Sequence, residues 1–252
     1  MKKAIIIAAA ALFCVTGTNV QAQKQIGGDK NIEFQFAPLG GSPISISGIR
    51  FRTFLDENSA FRVNLFIGSQ TDKSVTSQEG ELSIEDPTSP ILYMYDRTFD
   101  LTIRPGYEIH FDGTDRLSPY VGAELDFGIG RMSTEQESWG ANDIDNVGEP
   151  EQNVVWTQTD KDGFTRIGLN LLAGFDFYFS DSIYLGAEMG FGFSNTSMSD
   201  STVEFSDVAA WSLAETGGGD ATLEAPDAIV NGSTFNVGPT VNGLIRLGFL
   251  IN

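Results

Sequence analysis

The residues with the most chemistry in this sequence are charged, and they recur at every second position. Arg50, Arg52, Arg62, Arg104, Arg166 and Arg246 stand in segments that alternate apolar and polar side chains. So do Glu33, Asp100, Glu108, Glu124, Asp126, Asp176 and Glu188. In each segment the apolar set holds one parity and these residues hold the other. A guanidinium is a planar fork that bridges carboxylates, so six forks against seven acids suit a nearly balanced ion network. No lysine joins the set: Lys24, Lys30, Lys73 and Lys161 fall in the N-terminal stretch or between the periodic segments. A solvated face uses lysine freely, whereas a confined space favours arginine.

Other reactive chemistry is sparse. His110 is the only histidine, and no serine or acid is tied to it by spacing, so it reads as a rim residue. The glycine clusters at Gly128-Ile129-Gly130 and Gly190-Phe191-Gly192 lack the following helix of a phosphate loop and continue the period of two. Asp143-x-Asp145 departs from an EF-hand loop, with Val147 at a ligand position and Val154 in place of the closing glutamate. Asp160-x-Asp162-Gly163 reads as a turn. These readings point away from an enzyme and name no cofactor.

The segments that must position the charges are strands, because the periodicity is two nearly everywhere outside the connections. They fall at about 31–37, 43–55, 60–69, 92–110, 119–130, 164–179, 183–195 and 234–250. The apolar phase slips near Gly48, from Ile44 and Ile46 to Ile49 and Phe51, which predicts a bulge. Pro105 and Pro239 remove a ladder donor in mid-strand; each adjoins a glycine (Gly106, Gly238), so bulges are expected there too. Connections at 56–59, 110–118 and 180–182 are short, and those at 70–91, 131–163 and 196–233 are long. Short turns at one end and long loops at the other are the layout of an outer-membrane barrel with both termini periplasmic. The expected fold is therefore all-β: an up-and-down, eight-stranded antiparallel transmembrane β-barrel with long extracellular loops.

The start of the chain agrees with export. Lys2 and Lys3 precede the apolar run Ala4 to Val15, and Val20-Gln21-Ala22 reads as a cleavage site. Residues 1–22 are thus expected to be a cleaved signal peptide and 23–252 a single barrel domain. Cys14, the only cysteine, lies inside that signal, and Phe13 before it argues against lipidation.

The decisive question is which face is the core. A soluble lipocalin-like binding barrel would put its apolar set inside. The arginine-rich, lysine-free polar set argues for the inverse, with an ion network filling the lumen, since eight strands leave room only for side chains. A plugged lumen follows. Tyr107, Phe175, Phe177, Phe179 and Phe249 would then girdle the periplasmic rim, and Phe99, Phe191, Phe193 and Phe235 the outer one.

The formal charge is −19, and the three long connections carry most of it. So acidic a chain does not bind nucleic acid through phosphates. Divalent cations bridging the acidic loops to each other or to lipopolysaccharide phosphates are an expectation of that charge.

Three segments resemble the outer-membrane β-barrel domain family typified by OmpA and OmpX: Pro119 to Leu125 (PYVGAEL), Asn170 to Asp176 (NLLAGFD) and Ile183 to Glu188 (IYLGAE). The resemblance implies residence in a bacterial outer membrane, among membrane lipid and lipopolysaccharide, and delivery by the outer-membrane assembly machinery. It does not imply peptidoglycan anchoring. Many members end on an aromatic residue, whereas here Phe249 is followed by Leu250, Ile251 and Asn252. The functional expectation is a structural or surface-interaction barrel acting through acidic extracellular loops. The alternatives are a small ion or solute pore and, less favoured, a lipid-modifying barrel enzyme.

Overall fold

The computed structural model describes residues 25–36, 46–77, 90–141, 153–207 and 232–251. The expected signal segment, the beginning of the second strand and the tips of the long connections lie outside these residues. Nine strands are described: β1 (Lys30–Phe36), β2 (Ile46–Asp56), β3 (Ser59–Ser77), β4 (Leu92–His110), β5 (Leu117–Ala141), β6 (Asn153–Tyr178), β7 (Ile183–Met198), β8 (Thr202–Phe205) and β9 (Ser233–Ile251). Every pairing is antiparallel. The neighbour order β5-β4-β3-β2-β1-β9-β7-β6 is closed by pairing of β5 with β6, so eight strands form a ring. The four-residue β8 lies outside the ring order, on the outer part of β6 at Gln158–Lys161.

The ring is strongly staggered. Following partners from Phe177 through Leu185, Leu247, Phe34, Ile49, Leu65, Ile103 and Phe127 returns to β6 at Ile167, ten residues from the start. That stagger over eight strands corresponds to strands tilted about 40° from the ring axis, with an interior just wide enough for side chains.

The local irregularities differ in kind. The β1–β2 register shifts where Gln35 and Phe36 face Gly48 and Ile46, so the bulge sits at the expected phase slip. At Pro239 the β7–β9 register shifts on both sides of Gly190. At Pro105 there is no bulge: the ladder to β5 skips Arg104 and Pro105 and resumes at Gly106–Glu124 in the same register. Proline there costs a ladder bond without displacing the strand.

Two expectations are corrected. The β5–β6 hairpin extends to Ala141 and Asn153, and β3 extends to Ser77, so much of the expected loop is strand. Asp160 to Gly163 is strand interior, paired with Thr134 to Arg131, not a turn. Pairing is made by the backbone, so alternating apolar side chains mark only the part of a strand that needs them.

Lys30 pairs with both Thr53 and Ile251, which places the start of β1 and the end of β9 at the end of the ring that carries the short turns. The burial pattern is inverted relative to a soluble protein. Arg50, Arg52, Arg62 and Arg246 are 1% exposed or less, while Ile67, Leu171, Met189 and Phe191 on the outer surface are 56–69% exposed.

Candidate functional site

Parity along each strand decides which side chains meet inside the ring. Glu33 on β1, Arg50 and Arg52 on β2, Arg62 on β3, Glu108 on β4, Glu124 on β5, Asp176 on β6, Glu188 on β7 and Arg246 on β9 all point inward and are buried. They form one connected cluster of four arginines and five carboxylates. Arg52 contacts Glu33 at 2.7 Å, Glu108 at 2.9 Å and Asp176 at 2.7 Å. Arg62 contacts Glu108 at 2.7 Å, Glu124 at 2.9 Å and Glu188 at 2.8 Å. Arg50 joins Glu33 and Glu188, and Arg246 joins Glu33 and Asp176.

Neutral groups occupy the remaining lone pairs. Tyr184 Oη donates to Glu33 at 2.7 Å and accepts from Arg52 and Asn31. Tyr120 Oη donates to Glu188. Asn64 accepts from Arg50 and donates to Glu124, and Asn170 also donates to Glu124. Burying this many charges is tolerable only when each is paired and hydrogen-bonded, as here. Glycines make the space: a Cβ on Gly186 would stand 2.5 Å from Arg246 Nη2, and one on Gly248 would run into the Tyr184 ring.

A second tier lies toward the outer end. Arg104 meets Asp126 at 3.0 Å, and Arg166 meets it at 3.2 Å and donates to Thr102. These arginines are partly open to a cavity of about 380 Å³ also lined by Asn170, Ser194 and Asn236. Twelve of the thirteen charged residues expected on the polar face are thus brought together in two tiers. Asp100 is the exception. It shares the inward parity, facing Gly68 and Gly130, but it is exposed and makes no ion pair among the described residues. It stands beyond the level at which the interior closes.

The short-turn end is closed by groups that the spacing did not single out. Phe54 is buried inside with its ring 5.2 Å from His110. His110 stands 2.9 Å from Ser118 Oγ through Nδ1 and 3.2 Å from Glu108 through Nε2. Gln25 Nε2 donates to Ser118 Oγ at 2.9 Å. A serine and an acid therefore do meet the histidine: Ser118 across the β4–β5 hairpin, and Glu108 from two residues earlier on β4. Their disposition does not make a working nucleophile. All three side chains are buried, and Glu108 is already shared by two arginines. The inward parity of Phe54, Tyr120, Tyr178 and Tyr184 was the signal that could have placed them in the interior. Among the described residues, no three histidine, cysteine or acidic side chains are grouped to hold a metal ion.

No family model matches the chain, and no curated protein sequence is similar to it. Two solved structures match it distantly: Acinetobacter baumannii CarO, at 10% identity and TM-score 0.35, covering 90% of this chain and 98% of that one, and Acinetobacter baumannii CarO2, at 10% identity and TM-score 0.34, covering 90% and 99%. Likeness at this level assigns no family.

Proposed function

We propose that the protein is an outer-membrane β-barrel with a structural or surface-interaction role, its lumen closed by the arginine–carboxylate network. One observation carries this reading: the charged residues are sealed inside a ring of strands whose outer surface is apolar. In water, that surface would be an exposed hydrophobic area far beyond what a monomer tolerates. In a bilayer it is the expected arrangement, because a closed ring leaves no unpaired strand edge. Phe99, Phe191, Phe193 and Phe235 toward the long-strand end, and Tyr107, Phe175, Phe177 and Phe179 toward the turns, are all exposed aromatics, as membrane-interface girdles require. A bilayer needs about 9–11 residues of tilted strand, so the 25 residues of β5 and 26 of β6 project well beyond it. This projecting, acidic wall is the part that meets the surroundings. In this orientation both termini face the periplasm.

The test is the electrophoretic mobility of detergent-extracted protein, with and without boiling, after fractionation of the envelope. A band in the outer-membrane fraction that shifts on heating supports the reading. A soluble, unshifted band overturns it.

A further inference from the structure

In so acidic a protein the placement of the few outer basic residues is informative. Residues 70–91, 131–163 and 196–233 contain only Lys73, Arg131 and Lys161, and the strand between them adds Arg97. The folded chain gathers all four on one side. The odd parity that turns Ile67, Phe99, Leu101, Ile129 and Ile167 outward also turns these bases outward. The register sets Phe99 beside Arg131, and lines up Thr71, Arg97, Ser133 and Lys161 on the next row. Lys73 follows one row further out, with its ammonium 3.4 Å from the centre of the Tyr93 ring. The patch thus occupies four adjacent strands, β3 to β6, directly above the apolar surface.

The acids paired with two of these bases lie on the outward side. Glu135, which pairs with Arg97 at 3.0 Å, is four residues outward of Arg131 on the same strand. Glu204, 2.5 Å from Lys161, faces Thr159, again on the outward side. Arg131, nearest the apolar surface, is exposed and has no ion-pair partner among the described residues. Grooves of about 340 Å³ and 630 Å³ flank it, both lined by Phe99, Arg131, Lys161 and Asp162, and the larger also by Ile129, Thr165 and Asp200. A cationic floor beside an aromatic and aliphatic wall has the complementarity of an amphiphile whose anionic head sits on its acyl chains.

We propose that this face binds a phosphorylated lipid headgroup of the outer leaflet, with phosphate on Arg97, Arg131 and Lys161 and acyl chain along Phe99, Leu101 and Ile129. The proposal rests on the membrane-spanning reading above. Guanidinium and ammonium groups at this level match lipid phosphate in charge and donor geometry. The neighbouring acids keep the face from attracting anions in general, so the apolar contact is needed to hold the ligand. The face also differs from the rest of the ring: among the described residues, the outer parts of β7 and β9 carry no base. The lipid would therefore be held on one side of the protein.

The experiment is native mass spectrometry of the detergent-solubilised protein titrated with bis-phosphorylated lipid A, beside the heat-shift assay. The expected result is a retained lipid adduct with the wild type. Affinity should fall about fivefold for each base removed in Arg97→Ala, Arg131→Ala and Lys161→Ala, and Arg131→Lys should keep most of it. Dephosphorylated lipid A should bind weakly, and inorganic phosphate should not compete at equal concentration. If the variants keep their heat-shifted band but bind lipid A as the wild type does, the proposal is wrong while the barrel reading stands. Equal binding of dephosphorylated lipid A, or displacement by inorganic phosphate, also overturns it. Loss of the heat shift in the wild type itself removes the membrane reading and this proposal with it.

Discussion

Arg62 and Glu188 join opposite walls of the ring. The guanidinium on β3 donates from Nη1 at 2.8 Å and from Nη2 at 3.0 Å to the two carboxylate oxygens on β7, 126 residues later in the chain. Four steps in the neighbour order separate these strands in either direction. The pair is a bidentate strut across the full width of the interior, and Tyr120 donates to the same carboxylate.

Removing the strut on one side should be costly. Arg62→Ala leaves Glu108, Glu124 and Glu188 each short of a cation in a buried space. A loss of about 3–5 kcal/mol is expected from breaking a buried ion pair on one side. Arg62→Lys should recover little, because an ammonium cannot make the two-pronged contact. Glu204→Gln, at the exposed pair with Lys161, should change stability by less than about 1 kcal/mol. Urea unfolding in detergent micelles measures all three, and equal effects at the two sites would show that the interior network does not carry the barrel's stability.

If the network is the plug, loosening it should admit ions. The wild type in a planar bilayer should show little steady conductance, and the double variant Arg62→Ala/Glu188→Ala should show clearly more. Removing both partners keeps Glu188 from standing without the Arg62 guanidinium, while Arg52 still holds Glu108 and Glu33 still holds Arg50. A wild type that already conducts steadily would mean that the interior opens in the membrane and would favour the pore alternative.

Gly248 should be intolerant of a side chain. Its Cβ would meet the ring of Tyr184, which links Glu33, Arg52 and Asn31. Gly248→Ala is expected to cost about 1–3 kcal/mol by overpacking, and Tyr184→Phe in the same background should not relieve it, since the ring remains. Thermal unfolding followed by loss of the heat-shifted band would report this, and a neutral Gly248→Ala would show that the ring moves freely.

Ser118 should not behave as a nucleophile. It contacts His110, but it is 1% exposed and accepts from Gln25. A fluorophosphonate probe should leave it unlabelled in folded protein. Labelling that is abolished by Ser118→Ala and by His110→Ala would restore the lipid-modifying alternative.

The turn between β2 and β3 supplies a pH readout at the surface. The Ser59 hydroxyl and the Asn58 backbone amide hold the Asp56 carboxylate, lowering its pKa from the ordinary 3.8. Because the folded value is depressed, the stability it contributes is present above the unfolded value and is lost as pH falls through the folded one. The Asn58 amide resonance should therefore titrate with a midpoint below 3.8, and Asp56→Asn should abolish that step. A midpoint at or above the ordinary value would show that the turn bonds are not populated.

The sequence by itself determined the class of structure and the membership of the interior set. A period of two can be read from local order alone, and parity assigns a side chain to one face whatever the strand's neighbours are. That is why Arg50, Glu108, Glu124 and Glu188 could be put on a common face, and why β4 falls at 92–110 as the pattern required. Tertiary structure decided everything that depends on stagger and closure. The ring returns ten residues out of step, so no spacing in the chain reveals that Arg62 faces Glu188. The same stagger carries Asp100 past the closed interior. The outward extension of β6 was marked in the sequence by the apolar run Val154-Val155-Trp156, whereas that of β3 and β5 was hidden, because a strand beyond an apolar environment needs no apolar parity, only a partner for its backbone. The gathering of Lys73, Arg97, Arg131 and Lys161 is of this second kind, since the four lie far apart in the chain and become neighbours only when β3 to β6 are set side by side.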